Sequence, residues 1–178
     1  KKNRWGASTC ISLGIGQDAL LLTPIQMANI ATIIANHGYY KIPHIIKSID
    51  NSNKNINPDF FKKIYCAIDS QYFSPVIFGM QTAIDGKYGT AKSAKLDGLK
   101  ICGKTGTAQN PHGNDHSIFI GFAPKINPKI AIAVYIENGG WGSDLAAPIA
   151  SLAIEKYLYN KITRPKLENR MINKSINY

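Results

Sequence analysis

Leu99-Lys-Ile-Cys-Gly-Lys-Thr-Gly-Thr-Ala108 is an apolar, strand-like run, and two more runs of the same kind follow it, which predicts three successive strands. Successive side chains of a strand point to opposite faces, which puts Thr105 and Thr107 on one face and Cys102, Lys104 and Gly106 on the other. Two hydroxyls on one face, with a lysine cation beside them, suit the carboxylate of an acyl-peptide. Gly106 removes the side chain that would hold an acyl group off the backbone, as interior strand glycines do at close approaches. A strand that borders a groove takes up an extended peptide as an added strand. A free N–H at Thr107 would then serve as an oxyanion donor. Taken alone, the same residues also fit an ordinary strand with a Lys, two Thr and a tolerated Gly, so the surroundings must decide.

The second run, His116 to Ala123, alternates His116, Ile118, Ile120 and Phe122 against Ser117, Phe119, Gly121 and Ala123. The third, Lys129 to Glu137, alternates Ile130, Ile132, Val134 and Ile136 against Ala131, Ala133, Tyr135 and Glu137. Short connections make the three runs antiparallel neighbours. The small residues on one face of the second run call for something packed closely over them, and the last helix, Asp144 to Tyr159 with Leu145, Ile149, Leu152 and Leu158, is the candidate. Upstream, Thr23-Pro24-Ile25-Gln26 is a capping box with Pro at the first helical position. The helix it opens would bury Met27, Ile30, Ala31 and Ile34 and end at Gly38 as a left-handed cap. Tyr39 to Asp50 reads as extended and interrupted by Pro43, Asn51 to Asn57 as a surface loop, and Ser74-Pro75 as the start of a helix carrying Val76, Ile77, Met80 and Ile84. Residues 86 to 98 read as a mobile loop beside the Lys104 strand, and the tail after Thr163 as polar, basic and loosely held. The fold class is α/β in the α+β sense, an antiparallel sheet flanked by helices.

A length of 178 residues suits one domain or a large part of one, and no apolar run approaches the 18 or so residues of a membrane helix. Twenty-one Lys and Arg against eleven Asp and Glu give a net charge of +10, but it is spread along the chain without interleaved aromatics. That pattern points to solvated faces or to an acidic surface nearby rather than to nucleic acid. Cys10, Cys66 and Cys102 lack metal-ligand spacing and read as structural thiols; no metal or cofactor is expected. Asp115-His116-Ser117 has the residue types of a catalytic relay, yet in a strand His116 points away from its two neighbours, so the three form none among themselves.

The longer context is specific. Ser12-Leu-Gly-Ile-Gly-Gln-Asp-Ala-Leu-Leu-Leu-Thr-Pro-Ile-Gln-Met-Ala28 resembles the segment that penicillin-binding proteins carry ahead of their K-T-G motif, a Gly-Gln pair followed by Thr-Pro-x-Gln-Met. Gly79-Met80, Gly89-Thr90-Ala91, the Lys104-Thr107 motif, Phe119-Ile-Gly-Phe-Ala-Pro124 and Glu137-Asn138-Gly139-Gly140 follow in the family's order. Residues 4 to 160 thus resemble the C-terminal half of an elongation-type transpeptidase domain, which implies a domain over 1–160 and a basic tail over 161–178. Asp18 departs from the small residue usual after Gly-Gln.

K-T-G is one of three signatures of serine acyl-transfer enzymes of this kind, beside S-x-x-K and S-x-N. No Ser here is followed three places later by Lys, and the one S-x-N, Ser175-Ile176-Asn177, stands after the K-T-G at the chain end. The resemblance therefore implies a penicillin-binding, serine β-lactamase-like fold whose nucleophile lies in a missing N-terminal half. In it Lys104 would join the proton and electrostatic network, Thr105, Gly106 and Thr107 would bind substrate, and the Thr107 N–H would share the oxyanion hole. The implied partners are D-Ala-D-Ala stem peptides, β-lactams, the missing half and cell-elongation membrane proteins. The implied place is the periplasmic face of the cytoplasmic membrane, with the anchor outside this chain. A serine β-lactamase fragment and a non-catalytic module that binds cell-wall peptides are the alternatives.

Overall fold

The computed structural model describes residues 6–17, 20–46 and 57–176. Helices α1 (Ala7–Gly14) and α2 (Pro24–Ala35) lead to a short antiparallel pair, β1 (Tyr39–Tyr40) with β2 (Ile64–Tyr65). Helix α3 (Phe73–Asp85) follows, then β3 (Cys102–Ala108), β4 (His116–Ala123), β5 (Ile130–Ile136), α4 (Ala146–Tyr159) and α5 (Pro165–Ile172). The large sheet is antiparallel in the order β3-β4-β5, as the short connections require.

Register fixes the layers. Gly103, Thr105 and Thr107 stand opposite Gly121, Phe119 and Ser117, which in turn face Ile132, Val134 and Ile136 of β5. That face carries α4 and a core of Phe119, Ala123, Ala146, Ala147, Ala150 and Ile154. On the other face Cys102, Phe122 and Ala131 meet Ala35 of α2 and Phe73, Ile77 and Met80 of α3. The small residues of β4 make room first for a neighbour on their own sheet. A Cβ at Gly103 would stand 2.2 Å from Phe119 Cζ, and one at Gly121 2.8 Å from Phe119 Cε1, so the ring lies across the paired glycines. Helix α4 then closes over the ring. Burying an aromatic side chain of this size contributes about 2–3 kcal/mol.

The Thr23 capping box forms as read, with Thr23 accepting from the Gln26 N–H and the Gln26 side chain accepting from Thr23. At the other end two residues take positive φ, His37 at 55° and Gly38 at 111°, and the Gly38 N–H reaches back to the Ile33 carbonyl at 2.9 Å. Gly38 is the following residue of that motif rather than the cap itself. Several other expectations are corrected. Only Ala31 and Ala35 of α2 are buried; Met27 and Ile34 are half-buried, and Ile30 is exposed. Helix α3 begins at Phe73, and Val76 faces outward. Helix α4 begins at Ala146, and α1 has no counterpart in the expected elements. Beyond Tyr40, residues 41–46 join no strand, and most of the Asn51–Asn57 loop, like Asp18, lies outside the described residues. Residues 86–98 are not a loose loop: Ala91, Ala94 and Leu96 are buried in the α4-side core.

Cys66 is half-buried, Cys102 is buried and Cys10 is exposed, so packing explains the first two thiols and not the third. Burial pushes the Cys102 thiol up to about 11, with Asp85 adding to the rise and Lys125 pulling against it.

The tail is not loosely held either. Arg164 at the foot of α5 donates Nε to Glu155 Oε2 at 2.9 Å, and the fully buried Glu155 also accepts from the Thr163 N–H at 2.7 Å. Arg164 reaches the Lys95 carbonyl and Ser151 Oγ as well, tying α5, α4 and the 86–98 segment together. Burial alone would raise the Glu155 carboxyl, but the bonds from Thr163 and Arg164 outweigh it and hold the group below the ordinary Glu range. A depressed folded pKa contributes stability above the unfolded value and loses it as pH falls through the folded one. Arg164→Ala should cost roughly 3 kcal/mol, because it leaves a buried charge unpaired. Glu155→Gln should flatten the fall of stability below the ordinary carboxylate range; denaturant melts across pH check both, and an unchanged acid limb would oppose this account.

Candidate active site

Strand β3 stands at the end of the sheet order, and its motif is served from both faces. Lys104 is exposed, with Nζ on the Thr105 carbonyl at 2.9 Å. Lys104, Thr105, Gly106 and Thr107 all line a groove of about 240 Å³, with Gln17, Leu20, Leu22 and Ile30 opposite. A second, apolar recess of about 670 Å³, lined by Val76, Met80 and Tyr88, shares Lys104 and Ile120 with the first. The lysine therefore stands between two recesses.

The hydroxyls are held on the other face. Thr105 Oγ1 donates to Thr90 Oγ1 at 3.2 Å, and Thr107 Oγ1 accepts from the Gly142 N–H at 3.4 Å. The structure thus sets Lys104, Thr105, Gly106 and Thr107 along the edge strand, with the lysine and the hydroxyls on opposite faces.

Three neighbours were not among the expected site residues. Gln17 Nε2 donates to the Thr107 carbonyl at 3.0 Å across 90 residues of sequence, from the segment that carries the Gly-Gln pair. Thr90 stands in Gly89-Thr90-Ala91, also a marked stretch. Gly142 lies just beyond the marked Glu137-Asn138-Gly139-Gly140 run. The marked stretches signal that these segments matter; no periodicity places them beside Thr107.

The K-T-G strand, its exposed lysine and the two recesses that meet there make the candidate site. The penicillin-binding protein transpeptidase domain family matches residues 1–155, and the chain belongs to that family. Among its relatives, the peptidoglycan D,D-transpeptidase MrdA of Haemophilus influenzae is 32% identical over 94% of this chain and 28% of its own length. The peptidoglycan D,D-transpeptidase PbpA of Mycolicibacterium smegmatis is 34% identical over 79% of this chain and 30% of its own length. Of solved structures, Pseudomonas aeruginosa PBP2 superposes with a TM-score of 0.74 at 37% identity, covering 90% of this chain and 35% of that one. An imipenem acyl-enzyme of penicillin-binding protein A from Mycobacterium tuberculosis gives a TM-score of 0.72 at 31% identity, covering 86% and 34%. A chain of a peptidoglycan synthase complex gives 0.74 at 26% identity, covering 89% and 27%. The chain thus spans less than a third of the curated relatives named here.

Gly142 is the test of how closely the 139–142 loop must sit. A Cβ there would stand 2.4 Å from the Gly106 carbonyl oxygen and 2.5 Å from that of Ile118, both backbone atoms of the sheet. Gly142→Ala is expected to cost about 1–3 kcal/mol by overpacking. Gly14→Ala, with nothing within 4 Å of the new methyl, should not. Paired thermal melts decide, and an equal effect of the two would refute the close approach.

Proposed function

We propose that the polypeptide carrying this chain is a serine D,D-transpeptidase that cross-links peptidoglycan stem peptides ending in D-Ala-D-Ala and is acylated by β-lactams. One observation carries the reading: the Lys104–Thr107 strand borders a groove in a chain of the transpeptidase family, with its cation on one face and its hydroxyls on the other. The nucleophilic Ser lies outside this chain. Its oxygen bonds to the penultimate D-Ala carbonyl carbon, and the C–N bond to the terminal D-Ala breaks as that amine takes a proton. The amine of a second stem peptide then displaces the Ser oxygen and restores an amide.

Each residue has a part in this scheme. Lys104 supplies positive charge to the proton network around the Ser. Thr105 and Thr107 bind the terminal carboxylate, Gly106 lets the acyl group approach the backbone, and the Thr107 N–H shares the oxyanion hole. The exposed apolar residues around Lys104, Leu20, Leu22 and Ile30 in the groove and Val76 in the second recess, fit a covering segment that brings the Ser against Lys104. Among the described residues no helix is long and apolar enough to cross a membrane. We place the enzyme on the periplasmic face of the cytoplasmic membrane, anchored by a segment outside this chain and working with membrane proteins of cell elongation. The substrate named for the relatives and the likeness to a synthase-complex chain support that placement.

Lys104→Ala in the complete polypeptide should lower second-order β-lactam acylation by about 10²- to 10³-fold. Thr105→Val and Thr107→Val should act chiefly on substrate binding, with melting temperatures preserved. Acylation within about threefold of the parent in Lys104→Ala would reduce the motif to a plain strand on the scale expected for such groups. The chain by itself, lacking the nucleophile, should not be labelled by a fluorescent penicillin; stoichiometric labelling of one of its serines would refute the assignment.

A further inference from the structure

The Asp115-His116-Ser117 run forms no relay, but all three residues hold the same loop, the one between β5 and α4. Ser117 is fully buried; its hydroxyl donates to the Trp141 carbonyl at 2.9 Å and accepts from the Ala146 N–H at 3.1 Å. His116 Nδ1 accepts from the Asn138 N–H at 3.1 Å, which requires that nitrogen to be unprotonated. The Asp115 carbonyl accepts from the Gly140 N–H at 2.8 Å, and its carboxylate accepts from the Asn110 N–H at 3.3 Å. Asn110 Nδ2 closes the set on Asn138 Oδ1 at 2.9 Å. Between these points and α4 lies Gly142, whose N–H meets Thr107 Oγ1.

A hydroxyl oxygen that accepts a backbone N–H has one lone pair committed, so its own hydrogen points elsewhere. Thr107 lines the groove, and its hydroxyl proton meets no other partner among the described residues. We propose that Asp115, His116 and Ser117 are positioning residues for anion recognition: by clamping the loop they hold the Gly142 N–H on Thr107 Oγ1 and keep the Thr107 hydroxyl aimed as a donor at the ligand carboxylate. The proposal rests on the carboxylate-binding reading of the K-T-G strand. None of the three residues touches the ligand.

The test uses the complete polypeptide and two probes, a β-lactam with a free carboxylate and its methyl ester. The readout is the ratio of their second-order acylation rates. In His116→Ala and Ser117→Ala the carboxylate probe should slow by about three- to tenfold, the worth of one neutral hydrogen bond, while the ester stays within about twofold. His116→Asn, which returns an acceptor near the position of Nδ1, should restore the parent's preference. His116 is only half-buried, so its variants decide the matter if Ser117→Ala does not fold. An unchanged ratio in folded His116→Ala, an equal slowing of both probes, or no rescue by His116→Asn would overturn the clamp while leaving the transpeptidase reading intact. A parent acylated by neither probe would overturn that reading and the clamp with it.

Discussion

The antiparallel register of β3 against β4 is the constraint on which the rest depends. It pairs Gly103 with Gly121, Thr105 with Phe119 and Thr107 with Ser117. A slip of one residue would turn every side chain of β3 to the other face, sending Lys104 into the core and the hydroxyls toward α2. What holds the register is steric as much as hydrogen-bonded, since the Phe119 ring finds room only over the glycine pair. The ring that anchors the α4-side core therefore also fixes which way the K-T-G side chains point. Fold and site share one interaction.

From that register the strand acquires two working faces. Lys104 and Gly106 look into the groove walled by the Gln17–Ile30 region, while Thr105 and Thr107 are held by Thr90 and Gly142 from the α4 side. All four residues line the groove at the edge of the sheet, so the charge and the hydroxyls reach it from opposite faces of one strand. Lys104 is exposed and, among the described residues, bonds only to a carbonyl of its own strand, which leaves its charge open to the groove.

Much of this was legible in the sequence because the sheet is governed by local, period-two patterning. The limits of β4 coincide with the expected His116 to Ala123, and those of β5 fall one residue inside the expected run at each end. The capping box at Thr23 was equally plain, since its four residues are contiguous. What escaped depends on distant partners. Gln17 reaches Thr107 across 90 residues, the 86–98 segment is ordered by burial under α4, and the tail is held by Arg164 on Glu155. Polarity made the last two look like solvent-exposed chain. The outward turn of Ile30 and Val76 was missed for the opposite reason: apolar character at helical spacing was read as core, although those residues face open recesses.

The glycines after β5 bring a loop to the candidate site without lending it a side chain. Asn138 at φ 54° and Gly140 at φ 72° turn the chain back over the sheet, and only a residue without a Cβ fits where Gly142 crosses the Gly106 and Ile118 carbonyls. The close approach lets a backbone N–H, rather than a long side chain, meet Thr107. A backbone donor held by its neighbours loses little entropy when a ligand arrives, whereas a flexible side chain in its place would lose rotamer freedom. The same packing makes the arrangement intolerant, because a loop held against backbone atoms cannot yield when its neighbours change. Precision at Thr107 and sensitivity to substitution around Gly142 therefore have one cause.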